Sequence, residues 1–247
     1  MDSLYPFSAG SANDDRNKQL WVKGASLFIK QINELVEKTT PYSFDIQPIK
    51  TFQCDCGELG SILAQHNSDK STSHNYHILY AHIFHQLGRN NALNVLEIGM
   101  GTNNPTLVST MGESGRPGAS LYAFRDYLPN SAIYGADIDR DILFTSDRIQ
   151  TGYVDQLDAN AFLNLATQFG DIKYDLIIDD GLHSIGANFN TLLFALDHLN
   201  DNGWIVIEDI HIIDNWKSID FILGTNPKYN TYLVNALRGY LYVIQKV

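Results

Sequence analysis

The sequence predicts an α/β domain on a mostly parallel, seven-stranded sheet that ends in an antiparallel hairpin. Three observations predict it. Five short apolar runs, at residues 94–98, 132–136, 148–151, 174–178 and 204–207, alternate with helical stretches at 120–128, 159–169 and 187–199. Strands and helices at that spacing make βαβ units, whose parallel sheet is covered by helices on both faces. Residues 229–234 and 240–245 form a further pair of strand-like runs, and the few residues between them are too few for a parallel crossover, so they pair as a hairpin.

The N-terminal part reads differently. Between residues 18 and 38, Leu20, Leu27, Ile32, Leu35 and Val36 recur at roughly helical spacing, which predicts a helical extension. Pro41 and Pro48 bracket a short extended piece. A second helix is predicted over 74–87, where Ile78, His82 and His85 lie about one turn apart. The expected organisation is an N-terminal helical and extended segment over 1–66, followed by the α/β domain over 67–247.

Composition narrows the function. The 247 residues are 44% hydrophobic and 18% charged, enough for one full core. No apolar run approaches the roughly 18 residues of a membrane span, and residues 1–10 lack the basic start and apolar core of a secretory signal, so a cytoplasmic protein with no membrane partner is expected. Net charge is −11, from 17 basic and 28 acidic residues, with no basic run to track a phosphate backbone, so no nucleic-acid partner is expected. Cys54 and Cys56 are too close for an unstrained disulfide and lack a second pair for zinc, so reduced thiols are expected.

Five parallel strands with a terminal hairpin is the arrangement of Rossmann-like class I methyltransferases. In such sheets ligands bind beyond the carboxyl ends of the strands, where the strand order reverses. The first strand runs into Glu97-Ile98-Gly99-Met100-Gly101, where Gly99 and Gly101 allow a tight turn against a ligand. A dinucleotide fingerprint would place a third glycine near Asn104, so the segment reads as acidic-x-Gly-x-Gly and predicts S-adenosylmethionine. The second strand ends at Asp137, with Asp139 beside it, where a carboxylate can accept from a ribose diol. The third leads to Asp155 and Gln156, placed for the adenine amino group. Any one of these acids alone is more often a loop carboxylate or a helix cap.

The fourth strand finishes at Asp179, Asp180, Gly181, Leu182 and His183, and the fifth at Glu208 and Asp209. If these strands are neighbours, the acid pairs share a crevice, where crowded carboxylates raise one another's pKa unless a cation bridges them. Oxygen ligands with open positions suit Mg2+, and His183 is in reach as a general base. The plainer alternative is that Asp179 and Glu208 cap the following helices and His183 is incidental.

These residues lie within a longer resemblance. Asn67-Ser68-Asp69-Lys70, His74-Asn75-Tyr76 and Tyr80 are similar to the Asp-Lys…His-x-Tyr…Tyr segment of the macrolide and aminocoumarin sugar O-methyltransferases, which include macrocin, mycinamicin and novobiocin-pathway enzymes. Ser120-Leu121, Phe124-Arg125-Asp126-Tyr127, Tyr134-Gly135-x-Asp137, Asp155-Gln156, Asp179-Asp180-Gly181-x-His183 and Ile207-Glu208-Asp209 continue it in order, over about residues 67–212. The resemblance implies a Mg2+-dependent O-methyltransferase with Asp180, Glu208 and Asp209 holding the metal and His183 deprotonating a sugar hydroxyl. It also implies cofactor contacts from Glu97, Gly99, Asp137 and Asp155, with a Lys70–Tyr80 helix helping to close the site. Gly101, Asp139, Gln156, Asp179, Lys70 and Tyr76 complete the expected cofactor-binding set.

Leu182 stands where the family has a small polar residue, Phe124 where it commonly has Trp, and residues 103–117 form a long insertion. Residues 1–66 carry no recognised match and are where acceptor and oligomer contacts are expected, the chain being read as a homo-oligomer. The expected acceptor is a sugar-containing small molecule. Alternatives are the same chemistry on a polyketide, peptide or phosphorylated metabolite, or a non-catalytic cofactor-binding subunit. A nicotinamide oxidoreductase is disfavoured by the missing third glycine.

Overall fold

A computed structural model describes residues 14–40, 42–52 and 54–247. The reading of residues 1–10 and the Pro41 bracket lie outside the described residues, as does the side chain of Leu20.

In chain order the elements are α1 (Asp14–Thr39), β1 (Ile46–Pro48), α2 (Gly57–Gln65), α3 (His77–Leu87), β2 (Asn94–Ile98), α4 (Ala119–Tyr127), β3 (Ala132–Asp137) and β4 (Thr145–Ser146). They continue with β5 (Ile149–Tyr153), α5 (Ala159–Phe169), β6 (Tyr174–Asp179), α6 (Ile185–His198), β7 (Leu199–Ile210), α7 (Lys217–Gly224), β8 (Tyr229–Asn235) and β9 (Tyr240–Lys246). One sheet takes the order β1-β8-β9-β7-β6-β2-β3-β5-β4. Its seven inner strands are those expected: β2, β3, β5, β6 and β7 pair in parallel, and β9 runs antiparallel to both β7 and β8.

The sheet has nine strands rather than the seven expected. The two additions are its edges, three-residue β1 against β8 and two-residue β4 against β5. Neither is long enough to print an alternation in the sequence. Two helices were also not foreseen, α2 and α7, of nine and eight residues. The boundary expected at 66/67 is not a break in packing, because β1 extends the sheet and Leu59 and Leu63 of α2 share a core with α3 and α4.

Alternate residues of the strands feed two cores. Val95, Ile133, Leu176 and Val206 face α2, α3 and α4, while Leu96, Ile98, Ile177, Ile205 and Ile207 face α1, α5, α6 and α7. Burying each such side chain contributes roughly 1.5–3 kcal/mol, which is why these short runs hold the register that aligns the strand ends. Helix starts are fixed by local chemistry. Asp158 accepts from Asn160 N at 2.9 Å to open α5, and Ser184 accepts from Ala187 N to open α6. The cap of α6 is thus Ser184, not Asp179. Chain order reverses between β2 and β6, and beyond their carboxyl ends lies the site.

Candidate active site

A cavity of about 770 Å³ opens beyond β2, β3, β5 and β6, with Gly99, Gly101, Asp137, Asp155, Gln156 and Asp180 in its walls. Val22 and Lys23 of α1 and residues 106–109 of the insertion complete it, which gives both poorly matched regions a place at the site. Gly99 and Gly101 have φ of +90° and +77°. A Cβ on Gly99 would lie 2.2 Å from the Asp180 carbonyl oxygen, so only glycine fits where the β2 loop passes the β6 loop. The two loops are tied there by Asp180 N donating to the Ile98 carbonyl at 2.8 Å.

The acids around this cavity are held by neutral donors. Asp137 accepts from Met100 N at 2.8 Å through Oδ2 and from Asp139 N at 2.9 Å through Oδ1, and burial pushes its carboxyl up. Asp139 accepts from Asp141 N at 3.0 Å and from the Thr102 hydroxyl, and it does not line the cavity. Asp155 faces the cavity and accepts from Leu157 N at 2.9 Å. Gln156 also lines it, yet its amide is turned inward, donating to Asp179 Oδ1 and Thr191 Oγ1, each at 2.8 Å, and accepting from Leu182 N at 2.7 Å.

Five residues of the expected cofactor-binding set do not line this cavity, Asp139 and four more. Asp179 is fully buried beneath the cavity, where Gln156 and Asn188 donate to it and burial raises its carboxyl. Glu97 is likewise buried, accepting from the Ser120 hydroxyl. Lys70 and Tyr76 point into the acid cluster and are absent from the cavity wall. An acid at the end of a parallel strand alternates in or out with the pleat, and the sequence position alone does not say which.

The acid cluster forms where β2, β6 and β7 end. Lys70, 2% exposed, stands on a single helical turn at 69–71 opened by Ser68. Its Nζ lies 2.6 Å from Asp180 Oδ2, 2.7 Å from Glu208 Oε2 and 3.2 Å from Glu97 Oε1. Burial pulls the Lys70 pKa down, but the carboxylates of Asp180, Glu208 and Glu97 outweigh it and hold the ammonium well above the usual lysine range. Tyr80 donates its hydroxyl to Glu208 Oε1, so both Glu208 oxygens are engaged. Tyr76 donates to Asp209 Oδ1, and burial holds its phenol far above the ordinary range, so it stays a donor.

Three groups turn outward from this cluster. His183 Nε2 lies 3.9 Å from Asp180 Oδ1 and 3.8 Å from Asp209 Oδ2, and one ligand atom of each converges within 4.8 Å of the others. Their side chains are 24%, 26% and 21% exposed, against 2% for Glu208. Glu208, expected in the same set, is thus one layer deeper. His183 and Asp209 both have φ of +53°. Such backbone costs on the order of 1–3 kcal/mol per residue and clusters at functional sites. At Asp209 it coincides with an irregularity in the β7–β9 register between Ile207 and Ile210, which re-aims the strand end so that Glu208 and Asp209 both reach the crevice.

Two outward carboxylate oxygens are donor chemistry that fits a small divalent cation, with the His183 imidazole beside them. His183 Nδ1 is buried without a hydrogen-bond partner, and Nε2 faces the acids. His74 stands behind the group, its ring 4.5 Å from that of Tyr76 and its Nδ1 3.9 Å from Asp209 Oδ1. Sequence reasoning placed His74 in a motif but gave it no role, since its partners are remote in the chain.

No family model matches the chain. A curated relative from Streptomyces olivaceus, 8-demethyl-8-(2-methoxy-alpha-L-rhamnosyl)-tetracenomycin-C 3'-O-methyltransferase, is 34% identical over 156 residues, 62% of this chain and 37% of its own. Mycinamicin VI 2''-O-methyltransferase from Micromonospora griseorubida is 37% identical over 123 residues, 49% of this chain and 28% of its own. The matches thus span 28% to 37% of these relatives' length. Among solved structures, the MycE methyltransferase of the mycinamycin biosynthetic pathway, in complex with Mg and SAH, superposes with a TM-score of 0.60 over 76% of this chain and 54% of that one, at 22% identity. The chain has the class I methyltransferase fold, and its sequence is similar to those of sugar O-methyltransferases that act on glycosylated natural products.

Proposed function

We propose that the protein is an S-adenosylmethionine-dependent, Mg2+-assisted O-methyltransferase acting on a sugar hydroxyl of a glycosylated natural product. The observation that carries this reading is the convergence of Asp180, His183 and Asp209 beside the cavity that Gly99 and Gly101 shape. The similarity to rhamnosyl-tetracenomycin and mycinamicin methyltransferases supports the acceptor class.

When bound, S-adenosylmethionine supplies an electrophilic methyl group, and Mg2+ lowers the pKa of a hydroxyl that it coordinates. Gly99 and Gly101 let the backbone approach the methyl donor, and Asp155 and Asp137 supply carboxylate oxygens along its wall. Asp180 Oδ1 and Asp209 Oδ2 would hold the ion, with Glu208 behind them. His183 Nε2 accepts the proton of the acceptor hydroxyl, and the flanking carboxylates stabilise the imidazolium that forms. Tyr76 and Lys70 keep one oxygen of each carboxylate occupied, so the other stays outward.

The test is incubation with S-adenosylmethionine and glycosylated polyketides, with and without EDTA. A gain of one methyl on the sugar, lost in EDTA and restored by Mg2+, supports the reading. A methyl gained only by acceptors without sugar would move the acceptor class. A chain that binds no S-adenosylmethionine would end the reading altogether.

The homo-oligomer is also proposed, on the strength of Leu27, Phe28 and Leu35 standing exposed along α1, and light scattering tests it. No described helix is long and apolar enough to cross a membrane.

A further inference from the structure

Four carboxylates, Glu97, Asp180, Glu208 and Asp209, meet at the ends of three strands, and three of them gather around one ammonium. Lys70 donates hydrogen bonds to Asp180 Oδ2 at 2.6 Å and Glu208 Oε2 at 2.7 Å, and forms an ion pair with Glu97 Oε1 at 3.2 Å. The remaining oxygens of Glu97 and Glu208 are taken by Ser120 and Tyr80. Asp180 is split, with Oδ2 on Lys70 and Oδ1 turned toward His183. Lys70 does not come from the sheet at all. It is delivered by the turn at 69–71, pinned where Ser71 donates to the Gly60 carbonyl at 2.9 Å and His74 N to the Asp69 carbonyl at 2.9 Å.

We infer that Lys70 is a positioning residue that acts as a resident cation, filling the inner seat of the acid cluster and leaving only the outer oxygens of Asp180 and Asp209 to an external ion. The inner half of this inference stands on the Lys70 distances alone. The outer half rests on the metal reading proposed above. Without Lys70 the buried carboxylates would repel one another, and an external divalent cation would have to enter deeper to compensate them.

Thermal melts in EDTA of the wild type, Lys70→Met, Glu208→Gln and the double variant test it. Methionine keeps most of the packed stem and removes the charge. Lys70→Met is expected to lower the melting temperature by roughly 10 °C. Adding Glu208→Gln, which removes one negative charge, should recover most of that loss. Mg2+ should raise the melting temperature of Lys70→Met more than that of the wild type, and a calorimetric titration should show tighter Mg2+ binding by the variant. A Lys70 that only filled space would give none of these.

The inference is overturned if Lys70→Met melts within about 2 °C of the wild type in EDTA. It is equally overturned if the loss is neither recovered by Glu208→Gln nor reduced by Mg2+. Should Lys70→Met fail to fold, a double variant that folds in EDTA supports the inference, and one that also fails to fold overturns it. A wild type that binds neither S-adenosylmethionine nor Mg2+ would undo the proposed function, while the EDTA comparison would still decide the role of Lys70.

Discussion

The two ends of the site hold their carboxylates in opposite ways. Around and beneath the cavity, Asp137 and Asp179 are bound by neutral donors, backbone N–H groups for one and the amides of Gln156 and Asn188 for the other. In the adjoining acid cluster, Asp180 and Glu208 lean on the charge of Lys70, and the backbone of His183 and Asp209 sits in the left-handed region. Neutral donors fix a loop in place without spending charge. An ammonium on the inner side of a carboxylate leaves its outer oxygen charged and aimed. The first arrangement shapes a cavity, and the second presents reactive groups.

Substitutions should separate the two ends. The largest effect is expected for His183→Ala, which removes the proposed base and should lower methyl transfer by about 10²–10⁴-fold while S-adenosylmethionine affinity, read by calorimetry, stays unchanged. A parallel loss of cofactor affinity would mean that the two ends are not separable. Glu208→Ala leaves Lys70 short of a buried partner and should cost about 3–5 kcal/mol in denaturant unfolding. Asp179→Ala strands the amides of Gln156 and Asn188, which should cost about 1–3 kcal/mol and loosen the cavity wall. A stability loss at Asp179 exceeding that at Glu208 would reverse the comparison. The smallest stability effect is expected for Tyr76→Phe, roughly 1–2 kcal/mol, together with weaker Mg2+ binding as Asp209 loses the donor that orients it.

Much of the fold was legible because a parallel strand buried on both faces must be apolar throughout, and five such runs stand out. The edge strands β1 and β4 carry no such mark, since an edge of two or three residues needs no pattern. Within the site, the strand-end positions of Asp137, Asp155, Asp180 and Asp209 were readable, because the sheet rule assigns them to one rim. What each carboxylate touches was not. Lys70 is 110 residues from Asp180 and 138 from Glu208 in the chain, and only the folded turn at 69–71 brings them together. Asp179 and Asp180 are neighbours in sequence, yet one is sealed beneath the cavity and the other faces it. The irregularity that turns Glu208 and Asp209 toward the same crevice is likewise a property of the β7–β9 register, which no local spacing encodes.

The most direct measurement follows methyl transfer to a glycosylated polyketide by mass spectrometry, comparing the wild type with Asp180→Asn and Asp209→Asn, each in Mg2+ and in EDTA. The expected result is one methyl on the sugar for the wild type in Mg2+ only, near-background product for both variants, and S-adenosylmethionine binding retained by all three. Sugar methylation that proceeds undiminished in EDTA and in both variants would contradict the assignment of Asp180 and Asp209 to the ion.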